Sequence, residues 1–346
     1  MKAWSLEQIG KIAFKENSET PVLGEDEVLV KVHACGICGS DIPRIYKNGA
    51  HRMPLILGHE FSGEVVDTGE RVGAFPLIPC MKCEPCKNHQ YEMCRNYNYL
   101  GSRCDGGFAE YVSVPRWNLI ALPDGVSYEA AAMLEPMAVA VHAMRKLEAI
   151  TGLNEDKKNN PVCIYGMGKI GTLLAMFLRD AGYKDILAIG NKTFQKETWI
   201  KLGFSEENFI DSKSIDVSEW IMQRTSGQGV STFFECIGKS ETISQVVDLT
   251  KPAGAICLVG NPYGDVNLSQ AIYWKILRNQ LKVTGTWNSS FTQDKTDDWH
   301  YVLDRVATGN IRPEELITHR FAIEDLEKGF LLMRDKSEDY IKVMMI

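Results

Sequence analysis

The sequence predicts an α/β protein of two domains. One is β-rich and barrel-like, and inserted within it is a doubly wound parallel sheet. Three observations predict this. Short strand-like runs bounded by Gly, Pro and turn residues crowd the first third of the chain. Apolar strands alternate with helical stretches through the middle third, the pattern of βαβ units. At 346 residues the chain is also too long for one comfortable core.

The elements follow in order. EVLVKVHACGIC, from Glu27 to Cys38, alternates apolar and polar residues as a half-buried strand does. FSGEVVDTGERVGAF reads as two short strands about a Gly turn, and GGFAEYVSVP as a further strand. Glu135-Pro136 opens an apolar helix carrying His142. After a polar loop, TGLNEDKKNN, comes the buried strand PVCIYG and the helix KIGTLLAMFLRDAG, stopped by Gly182. DILAIG is a strand and TFQKETWIKLG a helix. STFFECIG and GAICLVG are strands on either side of helical ETISQVVDLT. From about Thr286 the pattern is mixed again, and KVMMI near the end is a strand. The expected boundaries are 1–143 with 287–346 for the β-rich domain and 144–286 for the parallel-sheet domain.

Composition narrows the function. Hydrophobic content of 45% and charged content of 24% are ordinary for a globular protein. A net charge of −7 and the lack of a basic run argue against nucleic-acid binding. No apolar stretch is long enough to span a bilayer, and MKAWSLEQIGKIAF lacks the apolar core of a signal peptide. Ten cysteines without an export signal are expected to be reduced thiols in a cytoplasmic protein.

Four of those cysteines form the strongest motif. Cys80, Cys83, Cys86 and Cys94 stand as C-x2-C-x2-C-x7-C. Four thiolates this close can close a tetrahedral shell around zinc. An iron–sulfur cluster is the second reading, weakened by the long last gap and by Arg95 where Pro would follow. Disulfides or unrelated buried thiols are the third.

Gly166-Met167-Gly168-Lys169-Ile170-Gly171 is G-x-G-x-x-G, and it follows a strand and opens a helix. That context suits a dinucleotide pyrophosphate set against a helix N-terminus. The next strand ends at Gly190-Asn191-Lys192, where an acid would bind the adenosine ribose of NAD. Gly190 suggests room for a larger group, and Asn191 and Lys192 offer an amide and a positive charge to a 2′-phosphate. NADP(H) is therefore favoured over NAD(H). Val259, at the end of GAICLVG, is a further cofactor candidate.

A second set of residues is scattered: Cys38 in GICGSD, His59 and Glu60 in GHE, and Glu135 in LEP. Cys, His and Glu are the ligand types of a catalytic zinc with an open position. Such a zinc acidifies an alcohol and so favours hydride departure to a nicotinamide. Spacing alone does not join these residues.

GICGSD, GHEFSG, the four-cysteine lobe, DGGFAEY, EP before an apolar helix and G-x-G-x-x-G occur in this order. This resembles the zinc-dependent medium-chain dehydrogenase/reductase family, in its polyol dehydrogenase branch, over essentially the whole chain. The resemblance implies a GroES-like catalytic domain and a Rossmann coenzyme domain. It implies two zinc ions per chain: a catalytic one at Cys38, His59, Glu60 and Glu135, and a structural one at Cys80, Cys83, Cys86 and Cys94. It gives Ser40 the hydroxyl of a proton relay, with helix capping as the other role open to it. It implies oxidation of a secondary alcohol of a polyol or polyol phosphate, such as galactitol 1-phosphate, to a ketose, and a homodimer or homotetramer. Unphosphorylated polyols, sorbitol, butanediol and threonine are alternative substrates, and a non-catalytic binding protein is the alternative of another class. Two departures stand out: VVDTGERVGAF is short, and Gly190 replaces an acid common in the branch. Arg44, Lys47, His51 and Arg52 follow the Cys38 turn, and the first three are candidates to grip a substrate phosphate. Trp287 and Asn288 are candidates to wall the pocket.

Overall fold

The computed structural model describes residues 1–152 and 158–346. Half of the polar loop expected over 151–160, residues 153–157, lies outside them. The described residues divide into two units, 1–138 with 289–346, and 139–288.

In the first unit Glu27–Ile37 is the organising strand. It pairs antiparallel with Glu60–Val65, Tyr111–Pro115 and Lys342–Met345, in a sheet that also takes in Arg71–Ala74, Leu119–Ala121 and Ile317–Phe321. A smaller sheet joins Lys11–Lys15, Ala3–Gln8 and Leu55–Ile56. The alternation read in EVLVKVHACGIC gives way to a run of buried residues at its end, because Ala34 to Ile37 are covered on both faces. The core gathers Trp4, Leu6, Val30, Phe61, Phe108, Phe330 and Val343. Beside it, Phe75, Phe291, Trp117 and Trp299 pack with centroids 4.9–6.3 Å apart.

The second unit carries, among its described residues, a six-stranded all-parallel sheet. Its order is Phe209–Asp211, Ile186–Gly190, Val162–Tyr165, Val230–Glu235, Thr250–Leu258 and Lys282–Gly285. In chain order this is 3-2-1-4-5-6, the doubly wound arrangement in which a dinucleotide lies where the order reverses. Val162–Tyr165 and Ile186–Gly190 are buried throughout, as strands covered on both faces must be. Helices Lys169–Asp180, Thr193–Lys201 and Ser240–Leu249 fall where the sequence predicts them. No helix among the described residues is long and apolar enough to cross a membrane.

Candidate metal centres and dinucleotide site

Glu27–Ile37 ends at the turn that carries Cys38, and its neighbour begins at Glu60 directly opposite Gly36. One ligand atom from each of Cys38, His59 and Glu60 lies within 4.8 Å of the others. Residues twenty apart in sequence thus meet because two strands pair in this register. Glu135 is not in this donor set. Its Oε1 accepts a 3.5 Å hydrogen bond from Tyr99, whose ring stands edge-on to His59 at 5.9 Å.

A carboxylate that sequence reasoning passed over holds this cluster together. Asp41 is fully buried; its Oδ2 accepts from Cys38 N–H at 2.9 Å and its Oδ1 from Arg44 Nη1 at 3.1 Å. Oδ1 also stands 3.5 Å from His59 Nδ1, where it can orient the imidazole. Burial opposes the Asp41 charge, but His59, Arg44 and the Cys38 N–H hold its pKa below the usual value. Burial likewise opposes charge on His59, yet Asp41 and the Cys38 sulfur raise it to about 10. The cluster is electronegative around one imidazole and offers sulfur, nitrogen and oxygen donors, which fits a divalent zinc with an open position.

Beneath the cluster, Lys342 and Glu60 form an ion pair between fully buried side chains, and Lys342 Nζ donates to Ile37 O at 3.1 Å. The pair crosses over Gly36, where a Cβ would overlap the ammonium. Burial pulls the Lys342 pKa down. The sequence showed this lysine only as the head of KVMMI.

Ser40 is exposed, and although it precedes the helix Asp41–Pro43 its side chain makes no cap hydrogen bond. Arg44 and Lys47 share the π-helical segment Arg44–Asn48. Lys47 and His51 are exposed and Arg44 is half-buried against Asp41. Arg52 is engaged elsewhere, with Asp105 at 3.0 Å. Trp287 is largely exposed.

The four-cysteine lobe comes together as its spacing predicts. Sulfur separations are 3.5 Å for Cys83–Cys86, 3.8 Å for Cys83–Cys94 and 4.0 Å for Cys80–Cys86. Tetrahedral bonds of about 2.3 Å place sulfurs roughly 3.8 Å apart, so the shell has the size of a zinc site. Cys80 N–H points to Cys94 Sγ and Cys83 N–H to Cys80 Sγ. The backbone N–H groups of Arg95 and Cys86 hold Cys83 down to about 6, whereas burial pushes Cys86 up to about 12. Four thiolates at these separations need a cation to coexist.

In the second unit the glycine motif divides its roles. Gly166 has φ +108°, and its missing Cβ makes room for Ile237 Cγ1. A Cβ on Gly168 would meet nothing within 4 Å, so this face is open to a ligand. Gly171 packs its helix on the strand end, where a Cβ would overlap Gly166 O. This is the division a pyrophosphate site needs. Met167 is buried, Lys169 and Ile170 start the helix, and Val259 donates its N–H to Glu235 O at 2.8 Å.

Gly190 corrects an expectation. The space at its Cβ is filled by the Phe209 ring and by Gln195 Oε1, at 2.8 Å, so the glycine leaves no room for a larger group. Gln195 Oε1 accepts from Asn191 N–H, and Lys192 lies over the Phe194 ring at 5.2 Å.

Residues 24–124 match the alcohol dehydrogenase GroES-like domain and residues 170–308 the zinc-binding dehydrogenase model. Galactitol 1-phosphate 5-dehydrogenase of Escherichia coli K12 is 32% identical over 92% of each chain. Sorbitol dehydrogenase of Halalkalibacterium halodurans is 31% identical over 97% of this chain and 96% of its own. The crystal structure of galactitol-1-phosphate dehydrogenase from Escherichia coli superposes with a TM-score of 0.89 at 31% identity, covering 100% of both chains. A zinc-binding dehydrogenase structure from Sinorhizobium meliloti bound to NADP gives 0.87 at 29%, covering 100% of this chain and 98% of that one. With a GroES-like unit, a parallel-sheet unit and relatives matched along almost its whole length, this chain belongs to the zinc-dependent medium-chain dehydrogenase/reductase family and is an oxidoreductase of the alcohol and polyol dehydrogenase kind.

Proposed function

We propose that the protein oxidises a secondary alcohol of a polyol phosphate to the ketose phosphate, with NADP as the favoured acceptor. The observation that carries this is the placing of Arg44 on Asp41, the same buried carboxylate that orients His59. A guanidinium has five N–H donors; one is given to Asp41 and the rest of the fork suits an anion beside the donor set. Lys47 lies next along the chain and adds positive charge at the exposed side, and His51 offers a ring N–H there. A zinc ion held by Cys38, His59 and Glu60 would supply Lewis acidity toward an alcohol or carbonyl oxygen. Asp41 holds His59 in orientation, Lys342 balances Glu60, and Ser40 offers an exposed hydroxyl through which the alcohol proton can leave. Cys80, Cys83, Cys86 and Cys94 would hold a second zinc in a closed shell. For the cofactor, the absence of an acid at Gly190-Asn191-Lys192 and the presence of Lys192 support NADP.

One assay panel tests both parts. NADP+ and NAD+ are each offered with galactitol 1-phosphate and with plain galactitol, for wild type and Arg44→Gln. Wild type is expected to prefer NADP+ and the phosphate ester. Arg44→Gln should cut kcat/KM for the ester by roughly tenfold or more beyond whatever loss of its Asp41 contact costs the plain polyol, the worth of a charge-assisted hydrogen bond. An equal loss on both substrates would remove Arg44 as the phosphate grip, and a clear NAD+ preference would remove the cofactor reading.

We also propose a homo-oligomer built on Lys282–Gly285, the last strand of the parallel sheet, with helix Gln270–Arg278 beside it. Tyr273, Trp274, Leu277 and Val283 are 54%, 43%, 55% and 42% exposed, an apolar edge of the kind that pairs with a second copy. Light scattering should give at least twice the 38.8 kDa chain mass, and Val283→Lys should lower it. A monomeric wild type would rule the interface out.

A further inference from the structure

Glu235 is the fully buried last residue of the strand Val230–Glu235. Its carboxylate works only as an acceptor. Oε1 takes the N–H of Ile237 at 3.0 Å, the N–H of Gly238 at 3.0 Å and the hydroxyl of Thr242 at 2.7 Å, and Oε2 stands 3.0 Å from the same Gly238 N–H. Its backbone carbonyl accepts from Val259 N–H and Gly260 N–H, both at 2.8 Å. One residue therefore fixes two loops, 236–238 and 259–261, through opposite ends of itself. The loops are also pressed together. Gly238 has φ +82°, and a Cβ there would lie 2.7 Å from Asn261 C. The first loop in turn braces the glycine turn. Cys236 N–H donates to Tyr165 O at 2.8 Å, and Ile237 Cγ1 sits 2.6 Å from where a Gly166 Cβ would be.

The topology says which half of a dinucleotide these loops serve. In a 3-2-1-4-5-6 sheet the first three strands carry the adenosine half and the other three the nicotinamide half. Glu235 ends the fourth strand, and the second loop follows the fifth.

We propose that Glu235 is a positioning residue for the cofactor, holding loops 236–238 and 259–261 in the form that receives the nicotinamide half. This rests on the dinucleotide reading of the site. A buried carboxylate is costly unless hydrogen-bonded, and here neutral donors from the loops themselves meet it. The loops are thus ordered before any ligand arrives, which removes an ordering cost from binding.

The test is equilibrium binding followed by quenching of protein fluorescence, with NADPH, NADH and the adenosine-side fragment 2′,5′-ADP as probes. Wild type should bind at least one dinucleotide; failure to bind either sinks the dinucleotide reading itself. Glu235→Gln places an amide against backbone donors. It is expected to weaken dinucleotide binding roughly tenfold or more while 2′,5′-ADP stays within about twofold. Unchanged dinucleotide affinity, or an equal loss for the fragment, overturns the proposal. Should Glu235→Gln not fold, Thr242→Val removes one bond of the set. It is expected to cost about threefold for the dinucleotide alone, with Thr242→Ser at wild-type affinity, and a Thr242→Val protein that binds like wild type overturns the proposal equally.

Discussion

Replacing Cys38 by alanine is expected to lower kcat by about three orders of magnitude or more while the protein stays folded. Cys38 is half-exposed on a turn at the end of Glu27–Ile37, so its sulfur supports little packing. It is, however, the one thiol in a donor set of three, and a two-donor site holds zinc poorly. Three decades of rate correspond to about 4 kcal/mol of transition-state stabilisation, which loss of a Lewis acid readily accounts for. Metal analysis should fall from about two zinc ions per chain to about one, with unchanged circular dichroism and a melting temperature within a few degrees of wild type. A Cys38→Ala protein with full metal content, or with a tenth of wild-type turnover, would refute the assignment.

Cys80→Ser should do the reverse and damage stability first. The lobe has hardly any core of its own: Cys86, Tyr91 and Cys94 form its buried hydrophobic cluster, with Cys80, Cys83, Tyr97 and Trp117 packed around them. Its helix is the single turn Glu84–Lys87. A metal bound by all four sulfurs would tie the segment together, so losing one ligand should release it. Tyr91 stacks edge-on to Trp117 at 5.0 Å, and Trp117 reaches Phe75 and Phe291 in the aromatic cluster, so the loss would be felt beyond the lobe. A cost of about 3 kcal/mol and a melting temperature lower by roughly 5–10 °C are expected, with early proteolytic cleavage between residues 80 and 94. The folded fraction at low temperature should keep most of its turnover. Wild-type melting with one zinc missing would show that the lobe is not structural.

How much of this was legible depended on whether the signal was local. The cysteine lobe and the glycine motif were, because ligands and glycines lie within a few residues and their spacing is the geometry. So were the parallel strands, whose buried runs need no partner to be recognised. Residues that matter through a distant neighbour were not. Asp41 carries no signal of its own in GICGSD, since its role lies in contacts with Cys38, His59 and Arg44. Lys342 read as a polar strand end, and its burial follows only from pairing with residues 35–37. Glu235 looked like the tail of an apolar strand, although FFECIG has an acid where backbone donors converge. Gly190 was misread for the same reason. Its glycine answers to Phe209, which belongs to the adjacent strand and arrives nineteen positions later.

The ion pair of Lys342 with Glu60 sets an order of assembly. Its partners meet across the strand Glu27–Ile37, which lies between theirs, and the lysine reaches Ile37 across 305 residues of chain. Everything in 139–288 is translated between them. At about 5–20 residues per second a ribosome needs some tens of seconds to supply that lysine. Until then the nascent first unit lacks the strand beside Cys38 and holds Glu60 without its counterion, whereas the parallel-sheet unit is contiguous and can close as it emerges. The coenzyme unit is therefore a module that can mature on its own, and the metal-donor unit is one that must wait for it.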